Sequence, residues 1–241
     1  MDAHADTLGP PPAVSVIIPT LNEETSLGAT LDALARLHGN VEVIVVDGGS
    51  RDGTLALARL RGVRTLEAGR GRGVQLHAGA CAARGGVLWF LHADTIPPAN
   101  AVEHILRALR RPAIVGGNFR LRFDGARWTA RVVTALQPLL VRFGLVYGDS
   151  AIFVRRQEYE RAGGFRPFPL FEDLDLVQRL RRRGRMVRLP AAVVTSSRRF
   201  EERNFLLTFA CWVGLQLLFW LGVSPHRLIR LYPPIRREVV R

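Results

Sequence analysis

The sequence predicts an α/β fold, with a mostly parallel central sheet flanked by helices and an apolar helix near the C-terminus. Three observations predict it. Between Val14 and Leu109, short apolar runs alternate with one-sided helical stripes, the pattern of strands joined by right-handed helical crossovers. The runs VSVIIP and VEVIVV are continuously apolar, so both of their faces must be covered, as in a parallel sheet. A third run, LWFLHADTIP (Leu88–Pro97), ends in the single carboxylate Asp94, at the strand end where open α/β sheets bind their ligands.

Each element has its own signal. Residues 1–12 are polar, acidic and proline-rich and lack the basic start and apolar core of a signal peptide, so a disordered leader is expected. Residues 13–200 then form one domain, and residues 201–241 a basic and apolar helical segment. Val14–Pro19 is a strand. The helix after it opens at Asn22, Glu23 and Glu24 and carries Leu27, Leu31 and Leu34 on one face. Val41–Val46 is the second strand, ending at Asp47, and GGSRDG turns the chain into a helix over Thr54–Leu60. Val63–Ala68 reads as a more exposed strand, GRGRG as a loop, Val74–Arg84 as a helix and Val87–His92 as a buried strand. A helix over Ala99–Leu109, a strand over Ile114–Phe123, a helix over Trp128–Phe143 and a strand over Val146–Val154 follow. Phe171–Arg183 opens acidic and closes basic, matching the helix dipole at both ends.

Composition narrows the chemistry. The formal charge is +13, and the last 61 residues hold 13 Arg against 3 Glu, which suits an anionic partner. The chain has no lysine, which excludes a P-loop lysine and Schiff-base catalysis. Cys81 and Cys211 have no metal-like spacing and read as reduced core thiols of a cytoplasmic protein. No H-E-x-x-H or G-x-S-x-G motif occurs, and Val74 breaks a G-x-G-x-x-G in the glycine-rich loop. Asn204–Val223 is uncharged for about twenty residues. Three placements fit it: a helix packed on the domain or a second subunit, an interfacial helix with basic flanks, or a membrane span.

The acidic positions Glu23, Asp47 and Asp94 fall at strand ends or the turns after them, and a parallel sheet gathers such positions on one edge. Singly, each is explained as a helix-start or turn residue. Together they suit a ligand with several anchors. Arg70 and Arg72, with Gln75 nearby, offer either an anion cradle or solvated loop charge. Glu172 and Asp173 at a helix start serve either the dipole or as a general base for an acceptor hydroxyl.

SVIIPTLNEE, VIVVDGGSRDGT, FLHADT and FEDLDL, in that order, resemble the family 2 glycosyltransferases of the GT-A fold, a small bacterial subgroup in particular. The resemblance covers about Val14–Leu189. It implies donor-nucleotide binding by Pro19, Thr20, Asn22, Glu23 and Asp47, with Arg72 and Gln75 from the third-strand loop. It places the family's Asp-X-Asp metal motif on His92-Ala93-Asp94, where His92 replaces the first acid and Asp94 remains as the ligand for Mg²⁺ or Mn²⁺. It makes Asp173 the base, beside Glu172, with GGF at Gly163–Phe165 as the segment before it. The activity implied is inverting transfer of a sugar, a hexose by expectation, from a nucleotide-diphosphate donor (UDP-sugar favoured) to an acceptor hydroxyl. If Asn204–Val223 touches a membrane, a lipid or isoprenoid acceptor and a peripheral place on the cytoplasmic face follow. The competing reading is a non-catalytic basic protein that binds RNA or an anionic membrane. No aromatic-interleaved RNA motif supports the first of these, and no nucleic-acid partner is expected. A nucleotidyltransferase would need a glycine-rich start with a basic residue after the first strand, and PTLNEE has neither.

Overall fold

The computed structural model describes residues 12–124, 150–196 and 205–231. The expected leader up to residue 11, the helix over Trp128–Phe143 and the residues 146–149 of an expected strand lie outside these. The strands are β1 (Val14–Thr20), β2 (Val41–Asp47), β3 (Arg64–Glu67), β4 (Val87–Phe90), β5 (Thr95–Ile96), β6 (Ile114–Phe123), β7 (Phe153–Arg155) and β8 (Arg185–Thr195). The helices are α1 (Glu24–Ala35), α2 (Thr54–Leu60), α3 (Arg72–Ala82), α4 (Ala101–Leu109), α5 (Arg156–Arg161), α6 (Glu172–Arg181), α7 (Phe205–Trp220) and α8 (Pro225–Leu228).

One sheet runs in the order β3-β2-β1-β4-β7-β6-β8-β5. β1 pairs in parallel with β2 and β4, β2 with β3, and β6 with β8. β7 is antiparallel to both β4 and β6, and β5 is antiparallel to β8. Among the described strands only β7 and β5 are therefore reversed, and the carboxyl ends of β1, β2, β4 and β8 share one edge.

The continuous apolar runs are explained by two cores, one per face. Val14, Val16 and Ile18 of β1 face a core with Leu27, Leu31 and Leu34 of α1 and Val102 and Ile105 of α4. Ile17 faces the other, with Leu76 and Ala80 of α3, Tyr159 of α5 and Leu176 and Leu180 of α6. Each of the three α1 leucines contributes roughly 1.5–3 kcal/mol by leaving water. A smaller third cluster joins Phe171 and Leu174 to Leu215 and Leu228 of the C-terminal helices.

Several expectations are corrected here. β4 ends at Phe90, so Asp94 lies in the link to β5 rather than at the last strand residue. β8 has no apolar run to announce it, because Arg185, Arg188 and Pro190 interrupt RMVRLPAAVVT. The strand expected to end at Val154 is described only as the three-residue β7, which runs on to Arg155. Cys81 is exposed on α3 rather than in a core, while Cys211 is half-buried and both are free thiols. The helix over Phe205–Trp220 has sixteen residues, and among the described residues no helix is long and apolar enough to cross a membrane.

Candidate active site

The carboxyl edge is built first around Asp47, the last residue of β2. Its carboxylate is fully buried and saturated. Oδ1 accepts from the hydroxyls of Thr20 (3.0 Å) and Ser50 (2.5 Å), and Oδ2 accepts from the backbone N–H groups of Gly49 (2.9 Å) and Ser50 (2.7 Å). Gly49 takes φ +93°, which this turn requires and a side chain would resist. Asp47 therefore shapes the turn after β2. Gln75, buried on α3, clasps the strand ends from behind by donating from Nε2 to the carbonyls of Thr20 and Val46, each at 2.8 Å.

The loop after β1 is locked to the same turn. Asn22 stands at φ 54°, a left-handed conformation that asparagine tolerates better than most residues. Its N–H donates to the Ser50 hydroxyl, and its Oδ1 accepts from the Arg51 N–H, both at 2.8 Å. The Glu23 N–H donates to Thr54 Oγ1 at 2.8 Å, and Glu23 Oε2 accepts from the Ser26 hydroxyl at 3.1 Å. Asp52, which sequence reasoning did not single out, ties the two segments together by accepting from the N–H groups of Glu24 and Thr54. Burial pushes its carboxyl up, but these bonds and the Thr54 hydroxyl outweigh that and hold it below the usual range. Its signal was present, an Asp two residues before a helix-opening Thr in RDGT. Pro19, half-buried, and Thr20, buried, end β1 beside this assembly.

The third anchor is the β4–β5 link. The Thr30 hydroxyl of α1 donates to the Ala93 carbonyl at 2.7 Å, and the Thr95 N–H donates to the His92 carbonyl at 3.2 Å. Thr95 also pairs with Thr195 at the end of β8. The half-buried Asp94 thus has Oδ1 beside the Thr195 and Thr95 hydroxyls, at 3.4 and 3.5 Å. Thr195 is a residue the sequence could not offer, since it lies 101 positions from Asp94. These contacts are long and weak, unlike the four that saturate Asp47. Among the described residues no three His, Cys, Asp or Glu side chains form a metal cage. One accessible carboxylate fits a hard divalent cation in one way: with its remaining positions filled by diphosphate oxygens and water.

The fourth anchor comes from α6. Glu172 and Asp173 are 1% and 4% exposed. Arg72, at the start of α3, donates through Nε to Glu172 Oε1 and places Nη2 3.9 Å from Asp173 Oδ2. Asp173 Oδ1 accepts from the Leu174 N–H at 2.8 Å. The close approach of α3 depends on Gly73, where an added Cβ would sit 2.5 Å from the Arg166 carbonyl and 3.2 Å from Glu172 Cβ. Asp175, one turn further on, binds Arg166 (3.1 Å) and Arg179 (2.6 Å). Arg179 also donates to the Gly164 carbonyl at 2.7 Å, which straps the GGF segment to α6.

Most of the sequence-predicted residues fall into two groups held by direct contacts, while Pro19 ends β1 beside the first and His92, Ala93 and Asp94 sit apart on the β4–β5 link with Thr30 and Thr195. Thr20, Asn22, Asp47 and Gln75 form one network around the turn after β2, with Glu23 joined through Thr54 and Asp52. Arg72, Glu172 and Asp173 form the second. Both meet through α3, which carries Gln75 and Arg72 on successive turns.

Known proteins are similar to this chain in sequence and in fold. The family model of glycosyl transferase family 2 matches residues 15–164. A probable glycosyltransferase of Bacillus subtilis (strain 168), YdaM, is 26% identical over 222 residues, which are 76% of this chain and 50% of YdaM. The chain spans about half the length of that curated relative. Among solved structures, the mannosyltransferase PcManGT from Pyrobaculum calidifontis, in complex with GDP-Man and Mn²⁺, aligns with TM-score 0.60 at 22% identity over 77% of this chain and 57% of that one. Glucosyl-3-phosphoglycerate synthase from Mycobacterium tuberculosis, in complex with Mg²⁺ and UDP, aligns with TM-score 0.55 at 25% identity over 77% of this chain and 70% of that one. The family match covers more than half of the residues and the solved structures share the fold: the chain belongs to glycosyl transferase family 2 and has the GT-A fold.

Proposed function

We propose that the chain is an inverting glycosyltransferase that moves a hexose from a UDP-sugar to an acceptor hydroxyl. The observation that carries this reading is the buried Glu172-Asp173 pair, set by Arg72 at the carboxyl edge of the sheet. The turns after β1 and β2 form the nucleotide pocket, lined by Pro19, Asn22 and Glu23, with the buried Thr20 behind them. Asp47 and Gln75 support it by holding the turn and the strand ends, because their hydrogen bonds run inward to Thr20, Val46 and the turn itself. Asp94 would hold Mg²⁺ or Mn²⁺, with the backbone of His92 and Ala93 fixing its loop. Such an ion, when bound, neutralises charge that grows on the departing diphosphate. UDP is proposed as the donor nucleotide on the synthase solved with it, and GDP is the alternative on the mannosyltransferase solved with GDP-Man.

Asp173 Oδ2 takes the proton of the acceptor hydroxyl as its oxygen attacks the anomeric carbon from the face opposite the diphosphate. The bond from the anomeric carbon to the phosphate oxygen breaks, UDP leaves with that electron pair, and the configuration inverts. Arg72, held against Glu172, sets its positive charge 3.9 Å from Asp173 Oδ2 and helps fix the direction of that side chain. Incubating the chain with a panel of nucleotide sugars and Mn²⁺, with UDP release and product mass as readouts, tests the reading. Release from one or more UDP-sugars supports it, and release from none contradicts it.

Peripheral membrane contact is the second part of the proposal. Leu217, Trp220, Leu221, Ile229 and Leu231 are exposed on α7, α8 and the residues beside them, next to the exposed Arg227 and Arg230. An apolar surface beside arginines suits an anionic lipid headgroup layer and would favour a lipid-borne acceptor. Flotation with anionic against neutral liposomes tests it, and equal recovery with both counts against it.

A further inference from the structure

We propose that α7 and α8 act as the positioning element of the Glu172-Asp173 junction, with Phe219 as the principal contact; this rests on the reading of Asp173 as the base. Phe171, immediately before the pair, stands at φ 63°. A bulky side chain rarely adopts that left-handed conformation, and it persists only where the surroundings fix it.

The surroundings come from the C-terminal helices. The Phe171 ring is buried and packs on Phe219 with centroids 5.1 Å apart, in a cluster with Leu174, Leu215 and Leu228. Three residues earlier, the ring of Phe168 meets His226 of α8 edge-on at 6.0 Å. On the inner side, Gly73 of α3 abuts the Arg166 carbonyl and Glu172. The junction is therefore held between two walls: α3 with Arg72 inside, α7 and α8 outside.

The backbone turn at Phe171 sets where the next two side chains point. With the outer wall removed, Phe171 relaxes to negative φ, and Asp173 turns away from its place 3.9 Å from Arg72. The hydrogen bonds that shape the turns after β1 and β2 reach α3 through Gln75 and do not run through Phe171 or Phe219. Loss of Phe219 thus reduces turnover and spares nucleotide binding.

The test uses the full chain with Phe219→Ala and the conservative Phe219→Leu, each shown to melt cooperatively. Three quantities are read: UDP release from the donor that the screen identifies, UDP affinity with Mn²⁺ by calorimetry, and amide exchange across residues 171–175. The account expects Phe219→Ala to lose about tenfold in kcat, with donor KM and UDP affinity within about twofold. It expects exchange at 171–175 to rise about tenfold, and Phe219→Leu to restore most of both. Unchanged exchange in Phe219→Ala overturns the coupling, whatever the activity. Raised exchange with wild-type kcat overturns the positioning role. A wild-type chain that releases no UDP, while exchange in Phe219→Ala does rise, refutes the transferase reading and supports the coupling of helix to junction.

Discussion

Arg72 donates to Glu172 across one hundred residues of sequence, joining the start of α3 to the start of α6. The loop after β3 and the acidic junction before α6 are thereby made one object. Arg72 side-chain exposure is 31% and that of Glu172 is 2%, so the carboxylate is committed to this partner. Arg72→Met leaves that carboxylate buried without it. A fully buried pair broken in this way costs roughly 3–5 kcal/mol, and the partial exposure of Arg72 brings the expected loss to about 2 kcal/mol. Urea unfolding of the two proteins measures it, with a lowered midpoint and an unchanged slope expected.

Gly73 is the second test of that junction. An alanine there needs the Arg166 carbonyl to retreat from 2.5 Å, and a backbone group in a packed loop gives way poorly. Gly73→Ala is expected to lose about 1–3 kcal/mol and to slow turnover more than it weakens UDP binding. A melting temperature equal to wild type would show that α3 does not press on the loop.

Much of this was legible in the sequence. β1 and β2 are uninterrupted or near-uninterrupted apolar runs, and α2 sits between a D-G-T turn and Arg61-Gly62, so their limits could be read closely. β8 and β5 could not. β8 is an eleven-residue strand with Arg185 and Pro190 at exposed positions and Arg188 at a half-buried one, and β5 has two residues. The candidate site shows the same division. Its residues stood out as short motifs, but their partners are set by topology. Nothing near Asp94 in sequence points to Thr195, and nothing near Asp173 points to Phe219. Gln75 and Asp47 were visible as polar residues in the right loops. That both would be buried clasps depended on the packing of α3 against the strand ends.

Asp94 carries the metal part of the proposal. Asp94→Ala should remove the dependence of UDP affinity on Mn²⁺, because the remaining residues supply no second cluster of ligands among those described. Calorimetric titrations with Mn²⁺ and with EDTA should then coincide for the variant and differ for the wild type. A variant that keeps the wild-type difference would place the ion elsewhere.

Acid stability tests the far end of the sheet. Burial pushes the Glu42 carboxyl up. The Ser15 hydroxyl, the Arg84 N–H and the Arg84 guanidinium outweigh this and hold it below its ordinary value of 4.5. A lowered folded value contributes stability that is full above about pH 4.5 and is lost as pH falls through the lower folded value. Glu42→Gln should therefore be less stable than wild type at neutral pH, and the gap should narrow as the solution is acidified below 4.5. Urea midpoints across that range measure the gap, and a constant difference would mean that the carboxylate charge plays no part.

The most direct measurement is of Asp173→Asn, which keeps the shape of the side chain and removes its ability to accept a proton. UDP release from the donor should fall about a thousandfold, the loss expected of a general base. Affinity for UDP with Mn²⁺ should stay within about tenfold, because the nucleotide pocket lies at β1 and β2. Turnover close to wild type in that variant would contradict the account.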